Sequence, residues 1–169
     1  MSRVKTGVLV LAVSFFCFFA YNAVVSTRTI QVAGASMNPT LKDGEIIPIE
    51  YREEQVLPKR SDIVIIRRNG ENVVKRIIGL PNETVTIEND IVSINGTPLI
   101  REGGIDSSIT DEISSKTLSD DEYFVMGDNR TNSWDARSAS FGEVHLKDIV
   151  AIVQQNELES ANVDSKNQE

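Results

Sequence analysis

Ser36 is the first residue of this sequence whose surroundings suggest chemistry. It stands in the stretch VAGASMNPTL, where small residues precede it and a proline follows three positions later. A serine hydroxyl becomes a good nucleophile when a neighbouring base accepts its proton. The chain has a single histidine, His145, in a polar segment that leads into an apolar run. Sequence order alone does not exclude a serine–histidine–aspartate triad, because geometry defines such triads.

A lysine offers an alternative base. Free lysine is protonated at neutral pH, but burial in apolar surroundings penalises the ammonium and lowers its pKa. In the segment VVKRII, strand alternation places Val73, Lys75 and Ile77 on one face. The other lysines of the chain lie in polar or turn contexts. Lys75 is therefore the best candidate for a buried base among the lysines, but the pattern alone favours a lysine that extends to the surface of a half-exposed strand.

Other catalytic classes find little support. The S-x-x-K spacing of penicillin-binding proteins occurs only from Ser2 to Lys5. One histidine and one cysteine, Cys17 within an apolar run, give no metal-ligand cluster. The polar stretch from Asp128 to Asp135 lacks the spacing of a calcium-binding EF-hand loop. The sequence therefore predicts neither a metal nor a cofactor.

The charges are divided unevenly along the 169 residues. All 25 acidic residues lie at or after Asp43, whereas four of the 17 basic residues precede it. The body of the chain is therefore strongly acidic and would repel phosphates, which argues against nucleic-acid binding. Its length suits one domain with a proper hydrophobic core.

Residues 7–25 form an uncharged apolar run. As a helix it would span about 28 Å, close to the roughly 30 Å of a bilayer core. Arg3 and Lys5 precede it, which predicts a cytoplasmic segment at 1–6 and an extracytoplasmic body at the cell membrane. A cleavable signal peptide is the alternative, because Ala33-Gly34-Ala35 is an A-x-A site. The length of the run and Arg28 in the intervening stretch favour a single-pass anchor in the lipid bilayer.

Short β-branched runs between turn residues indicate a mainly β fold. The dipeptides Asn69-Gly70 and Asn95-Gly96 predict tight hairpins. We expect a folded antiparallel sheet or barrel-like catalytic domain over 26–153, with a small polar cap at about 95–122 and a disordered acidic tail at 154–169. The predicted strands lie within 27–34, 45–54, 62–67, 72–78, 84–87, 91–94, 97–100, 123–126 and 148–153.

Three stretches follow the predicted anchor in a fixed order: SMNPTL at 36–41, VVKRIIGLP at 73–81 and GDNRTNSWDAR at 127–137. Together they resemble the bacterial type I signal peptidases, the membrane-anchored serine proteases that remove signal peptides from exported preproteins. The resemblance implies that Ser36 is the nucleophile and that its backbone N–H stabilises the oxyanion. It implies that Lys75 is the general base and that Ser133 orients this lysine. It also implies salt bridges that brace the site, formed by Arg76, Asp128, Asp135 and Arg137.

The resemblance further implies the substrate. Signal peptides carry small residues at the third and first positions before the cut, and a cleft would bind them as an extended strand. The positions that match the family's pocket-lining residues are Ile30, Val32, Ala33 and Val74. Their small or β-branched side chains would make shallow apolar pockets that admit alanine.

Several positions depart from the family pattern. Ala136 replaces a serine, Asn82 and Ser61 replace glycines, and Gly34 stands where some relatives carry a serine that adds a second oxyanion donor. These departures leave open a catalytically silent, membrane-tethered accessory subunit on the same fold. An anchored serine–lysine peptidase with another substrate is a further alternative. The retained serine and lysine favour the active signal peptidase.

Overall fold

A computed structural model describes residues 28–89, 91–99 and 113–154. The predicted cytoplasmic segment, the anchor at 7–25 and all but the first residue of the acidic tail lie outside these residues. Within the described ranges, no helix combines the length and apolar character needed to cross a bilayer.

The described chain is built from eleven short strands and one 3-10 turn, Leu146–Asp148. The strands are β1 Arg28–Gln31, β2 Ile46–Tyr51, β3 Ile63–Arg68, β4 Glu71–Gly79, β5 Thr84–Glu88, β6 Ile91–Ile94, β7 Thr97–Pro98, β8 Ile113–Thr117, β9 Glu122–Met126, β10 Val144–His145 and β11 Ile149–Val153. Nearly all of the predicted strands appear with similar bounds, which confirms the mainly β prediction.

Two antiparallel sheets contain these strands. The larger has the order β1-β2-β11-β3-β4-β9-β10, and the smaller has the order β7-β6-β5-β8. In the larger sheet β1 and β10 are the two edges and do not pair with each other, so this sheet is open. The prediction of a folded antiparallel sheet is confirmed. The described strands do not close into a barrel.

Strand β8 lies in the region that the sequence analysis described as a polar cap. Its sequence ISSKT carries one apolar residue, so its periodicity is too weak to indicate a strand. Pairing with β5, including Thr84 opposite Thr117, supplies the stabilisation that the local sequence lacks. The excursion from β7 to β9 therefore contributes a strand to the smaller sheet.

Burial follows the strand periodicity. Strand β3 is buried at four consecutive positions, from Ile63 to Ile66, as expected for a strand covered on both faces. One apolar cluster contains residues of both sheets, among them Val85 and Phe124, and so joins them. A second cluster contains residues of β2, β3 and β11 together with the loop that follows β1. This second cluster lies beneath the loop that follows β1.

The two Asn-Gly turns confirm the predicted hairpins. Asn69 and Gly70 have φ values of 52° and 86°, and Asn95 and Gly96 have φ values of 51° and 78°. These left-handed conformations are those that a two-residue hairpin requires. The turn at Asn69 sets the register of β3 against β4, in which Val64 lies opposite Lys75.

Candidate active site

Ser36 lies in the loop between β1 and β2. The loop is anchored from within, because Met37 and Leu41 are almost completely buried in the second apolar cluster. The backbone N–H of Leu41 donates to the carbonyl of Met37 at 3.0 Å, which closes a tight turn directly after the serine. Ser36 itself stays half-buried, so its hydroxyl is held by the loop and remains accessible.

The residues before Ser36 are fixed by a second set of hydrogen bonds. Gly34 has a φ of 87°, a conformation that favours glycine, and its N–H donates to a carboxylate oxygen of Asp43 at 2.7 Å. The N–H of Gly44 donates to the carbonyl of Val32 at 2.9 Å. Both ends of the nucleophile loop are therefore tied together across its base.

Lys75 extends from β4 to this loop. Its Nζ lies 2.7 Å from Oγ of Ser36 and also donates to the carbonyl oxygen of Val74 at 3.0 Å. Burial lowers the pKa of Lys75 from its ordinary value of 10.5 to about 8, with Asp135 opposing the shift and Arg137 adding to it. A useful fraction of this lysine is therefore the free amine near neutral pH, as a general base requires.

Arg76, the next residue of β4, points to the other face and meets Asp128. The guanidinium donates from Nε to Oδ1 at 2.8 Å and from Nη2 to Oδ2 at 2.5 Å, a bidentate pair. Asp128 is 1% exposed and also accepts a hydrogen bond from the hydroxyl of Thr40 at 2.6 Å. This network connects the nucleophile loop, β4 and the loop after β9. The sequence analysis did not single out Thr40, which lies inside the SMNPTL stretch.

Asp135 and Arg137 form a second buried ion pair. Arg137 donates from Nε to Oδ1 at 2.8 Å and from Nη2 to Oδ2 at 3.0 Å, and Oδ2 also accepts the N–H of Gly127 at 2.8 Å. Although burial disfavours the carboxylate, these donors outweigh it and hold the pKa of Asp135 below its ordinary value. Asp135 is therefore ionised at neutral pH. Its charge offsets only part of the decrease that burial causes in the pKa of Lys75.

Ser133 differs from its predicted arrangement. Its hydroxyl also helps to lower the pKa of Asp135, but it makes no hydrogen bond of ordinary geometry with any described residue. The hydrogen bond to Lys75 that the resemblance implies is therefore absent from this structure. The hydroxyl instead lies against Gly127, where an added Cβ would come within 2.2 Å of Ser133 Oγ and 2.5 Å of the Ser36 carbonyl oxygen. Gly127, which the sequence analysis did not single out, permits this close approach.

The residues predicted to line the substrate pockets gather around one apolar cluster. Val32 is buried in it, Ile30 and Val74 are half-buried against it, and Ala33 is exposed beside them. Strand β1 is an edge of its sheet, and β4 pairs with β9 only from Arg76 onward. In the described part of the chain, both strands therefore present a free backbone edge near Ser36, which is the arrangement that accepts an extended peptide.

His145 is separate from this group. It lies on β10, and its Nδ1 is 3.0 Å from Oδ2 of Asp121, with both side chains largely exposed. Among the described residues, Lys75 carries the only side chain within hydrogen-bond distance of Ser36 Oγ. The structure therefore selects the lysine over a histidine triad. No group of three or more potential metal ligands occurs in the described ranges.

Asn129 is a further contact of the nucleophile loop that sequence reasoning missed. Its side-chain Nδ2 donates to the carbonyl of Ala35 at 3.1 Å, and its backbone N–H donates to the carbonyl of Ser36 at 3.0 Å. Arg130, which is buried, donates from Nε to the carbonyl of Gly127 at 3.1 Å and secures the same segment. Their membership of the GDNR stretch was the available signal, but the residue types alone indicated no role.

Of three departures from the family pattern, Ala136 and Asn82 fit their surroundings and Ser61 is strained. Ala136 is buried in the apolar cluster that joins the sheets, and its N–H donates to the carbonyl of Val125 at 3.1 Å. Asn82 has a φ of 65°, which agrees with the prediction that asparagine tolerates the conformation of a replaced glycine. Ser61 has a φ of 73°, a conformation that a serine adopts only with strain.

This sequence is similar to those of known proteins. Residues 3–156 match the family described as "Signal peptidase, peptidase S26". The chain belongs to this family. Signal peptidase I of Bacillus amyloliquefaciens is 40% identical to it over a segment that covers 63% of each chain. Signal peptidase I U of Bacillus subtilis is 31% identical, covering 80% of this chain and 79% of that relative.

The matches differ in extent. The chain spans less than two thirds of the length of the Bacillus amyloliquefaciens relative, at 63%, and 74% of the length of signal peptidase I from Bacillus caldolyticus. A crystal structure of a signal peptidase I from Enterococcus faecalis matches with a TM-score of 0.48 and 34% identity. It covers 56% of this chain and 94% of the Enterococcus chain.

Proposed function

We propose that this chain is a membrane-anchored serine endopeptidase that removes N-terminal signal peptides from exported preproteins, cutting after small residues in an A-x-A pattern. The observation that carries the proposal is the 2.7 Å contact between Lys75 Nζ and Ser36 Oγ, made by a lysine whose burial lowers its pKa to about 8. Membership of the signal peptidase family supports this choice of substrate.

Acylation uses the neutral form of Lys75. The amine takes the proton of the Ser36 hydroxyl while Oγ attacks the carbonyl carbon of the scissile peptide bond. The carbonyl oxygen becomes an oxyanion and accepts a hydrogen bond from the backbone N–H of Ser36. The lysine then gives its proton to the departing amine of the mature protein, which leaves the signal peptide as an ester on Ser36.

Deacylation repeats the proton transfer with water. Lys75 takes a proton from a water molecule, whose oxygen attacks the ester carbonyl carbon. The tetrahedral intermediate collapses, Ser36 regains its proton through the lysine, and the signal peptide leaves with a new carboxylate. One base thus serves both half-reactions, and neither metal nor organic cofactor enters the sequence of steps.

The free strand edges and the apolar cluster around Ser36 support a substrate bound in extended form. Backbone hydrogen bonds to β1 and β4 would hold the peptide, and small side chains would enter the shallow space near Ile30, Val32, Ala33 and Val74. Larger side chains would meet the tightly packed cluster beneath. The residues Arg76, Asp128, Asp135 and Arg137 brace the site without taking part in bond making.

The predicted anchor supplies the location. An apolar segment at 7–25, with basic residues before it, would hold the catalytic domain on the outer face of the cell membrane. Preprotein signal peptides lie in the same bilayer, so tethering raises their effective concentration at the active site. The partners proposed are therefore preproteins and the lipid bilayer.

The decisive experiment measures cleavage of a preprotein bearing an A-x-A site by the purified full-length chain. Ser36→Ala and Lys75→Ala are each expected to reduce the rate by at least about 1,000-fold, because removing either member of a nucleophile–base pair leaves little residual catalysis. The matched control is Lys42→Ala, which removes an exposed lysine from the same loop and should keep the wild-type rate.

Two results would contradict the proposal. Full cleavage by either dyad variant would remove Ser36 and Lys75 from the chemistry. Absence of cleavage by the wild-type chain across a panel of preproteins, with binding of the signal peptides retained, would point to the silent accessory subunit instead. The intact, closely paired serine and lysine favour the active enzyme.

A further inference from the structure

The peptide unit between Ala35 and Ser36 is held by its carbonyl group. The Ala35 oxygen accepts two hydrogen bonds, from Asn129 Nδ2 at 3.1 Å and from the backbone N–H of Asn38 at 3.1 Å within the nucleophile loop. The Asn129 side chain is itself oriented because its Oδ1 accepts the hydroxyl of Thr131 at 3.0 Å. A trans peptide is planar, so its C=O and N–H point in opposite directions. A hydrogen bond that fixes the Ala35 carbonyl therefore fixes the direction of the Ser36 N–H.

The Ser36 N–H has no acceptor among the described residues. It is available for a substrate, whereas the neighbouring N–H of Gly34 is already committed to Asp43. Gly34 also lacks a side chain, so this position offers no hydroxyl to share the negative charge. The orientation of one backbone N–H consequently matters more here than in a site with a side-chain donor.

Hydrogen bonds hold the segment that carries Asn129 on both sides. Asp128 beside it is held by Arg76 on β4, and the backbone N–H of Asn129 donates to the carbonyl of Ser36 on the far side of the nucleophile. Asn129 therefore grips both peptide groups that flank the α-carbon of Ser36. A hydrogen bond to an amide carbonyl also polarises the amide and makes its N–H a stronger donor.

We propose that Asn129 is a positioning residue for the oxyanion hole: its side-chain amide holds the Ala35 carbonyl so that the Ser36 N–H points at the substrate oxygen. This inference rests on the proposed peptidase function. The oxyanion exists only in the transition state and the intermediates, so Asn129 should affect kcat far more than KM.

The test compares Asn129→Asp with the wild-type chain on an A-x-A preprotein. The variant keeps the shape of the side chain but replaces the donor with an oxygen that repels the Ala35 carbonyl. We expect kcat to fall about 10- to 100-fold with KM unchanged, somewhat less than the loss of an oxyanion donor itself. Asn132→Asp is the matched control, since Asn132 is exposed in the same loop.

A second readout separates positioning from general disruption. The Oγ of Ser36 adds to the carbonyl carbon of a peptide aldehyde ending in A-x-A and forms a hemiacetal, whose former carbonyl oxygen occupies the oxyanion hole. The corresponding peptide alcohol has no carbonyl at this position and does not react. Asn129→Asp should weaken binding of the aldehyde about 10- to 100-fold and leave binding of the alcohol unchanged. Equal weakening of both would overturn the inference, because it would mean that Asn129 shapes the cleft as a whole.

The outcomes distinguish this inference from the function on which it rests. If the wild-type chain fails to cleave the preprotein, the peptidase proposal fails. If the wild-type chain cleaves and Asn129→Asp retains full kcat, the positioning role alone is wrong. Should Asn129→Asp melt below the assay temperature, Asn129→Leu, which lacks both donor and charge, is measured on the same pair of ligands at a temperature where it is folded.

Discussion

Lys75 illustrates how a single side chain sets both stability and reactivity. Burial lowers its pKa from 10.5 to about 8, a difference that corresponds to about 3 kcal/mol. The unfolded chain holds the proton more tightly than the folded one, so the penalty is complete below pH 8. It falls as the pH rises from 8 to 10.5 and disappears above that range. The fold therefore holds a lysine whose charged form is destabilised, as the proposed role of Lys75 as a general base requires.

The pH dependence of the reaction follows from the same shift. We expect kcat/KM for an A-x-A peptide to rise about tenfold per pH unit below pH 8 and to level off above it, because only the neutral form of Lys75 accepts the Ser36 proton. Initial rates between pH 6 and 10 measure the midpoint. Lys42→Ala should leave it unmoved, and a midpoint near 10.5 would contradict the argument from burial.

The pairing of Ser36 with Lys75 was predicted from the resemblance to the signal peptidases, to which the local pattern around Lys75 added support. Alternation in VVKRII places Lys75 among β-branched residues, and the structure buries it there. Asn129 leaves no such signal, since its role depends on a carbonyl that lies 94 positions away in the chain. Ser133 is the opposite case, because the resemblance implies a hydrogen bond to Lys75, whereas in the structure its hydroxyl lies close to Gly127 without a hydrogen-bond partner among the described residues.

At the scale of elements, the turn before β3 holds Ser61 in a strained conformation. Its φ of 73° costs a residue with a side chain roughly 1–2 kcal/mol relative to glycine. The strained conformation persists because both the N–H and the carbonyl of Ser61 make hydrogen bonds. The N–H donates to the carbonyl of Ile77 at 3.0 Å, and the carbonyl accepts Nη1 of Arg76 at 2.8 Å.

Relieving this strain should stabilise the protein. We expect Ser61→Gly to raise the free energy of unfolding by about 0.5–1 kcal/mol, the strain relief less the greater flexibility of glycine in the unfolded chain. Urea denaturation measures the change. Ser119→Gly, at an exposed serine without a left-handed φ, should instead lower stability. If both variants lowered it equally, the backbone at Ser61 would not be strained.

Strands could be predicted where the sequence itself shows a run or an alternation of apolar residues. Strands β3, β4 and β9 contain runs of apolar residues that indicate burial without any knowledge of partners. Strands β8 and β10 do not, because one is mostly polar and the other has two residues. These strands form because they pair with β5 and β9, and the sequence of a strand does not itself identify its pairing partner.

At the scale of the molecule, one apolar cluster unites the two sheets. Leu118 lies in it between β8 and β9, is 2% exposed, and packs over Gly79, where an added Cβ would come within 2.9 Å of its Cδ1. Gly79 therefore allows the smaller sheet to approach the larger one closely. The stability of both sheets depends on this shared packing.

Removing that packing should be costly. Leu118→Ala is expected to lower the free energy of unfolding by about 2–5 kcal/mol, because removing the buried methyl groups leaves a cavity. Leu57→Ala is the matched control, because Leu57 is 59% exposed and its loss should change stability by less than about 1 kcal/mol. Urea unfolding followed by fluorescence compares the two. Equal effects would mean that the cluster does not couple the sheets.

The open ends of the smaller sheet have a consequence for how such chains vary. Every residue assigned to the site lies on the larger sheet or its loops, and the smaller sheet is joined to them through the segments flanking β5 and β8. Added length in a surface connection carries only a small entropic cost. A stretch could therefore be added or removed at this end of the domain without changing the spacing of Ser36 and Lys75, because the smaller sheet and the candidate site belong to separate parts of one domain.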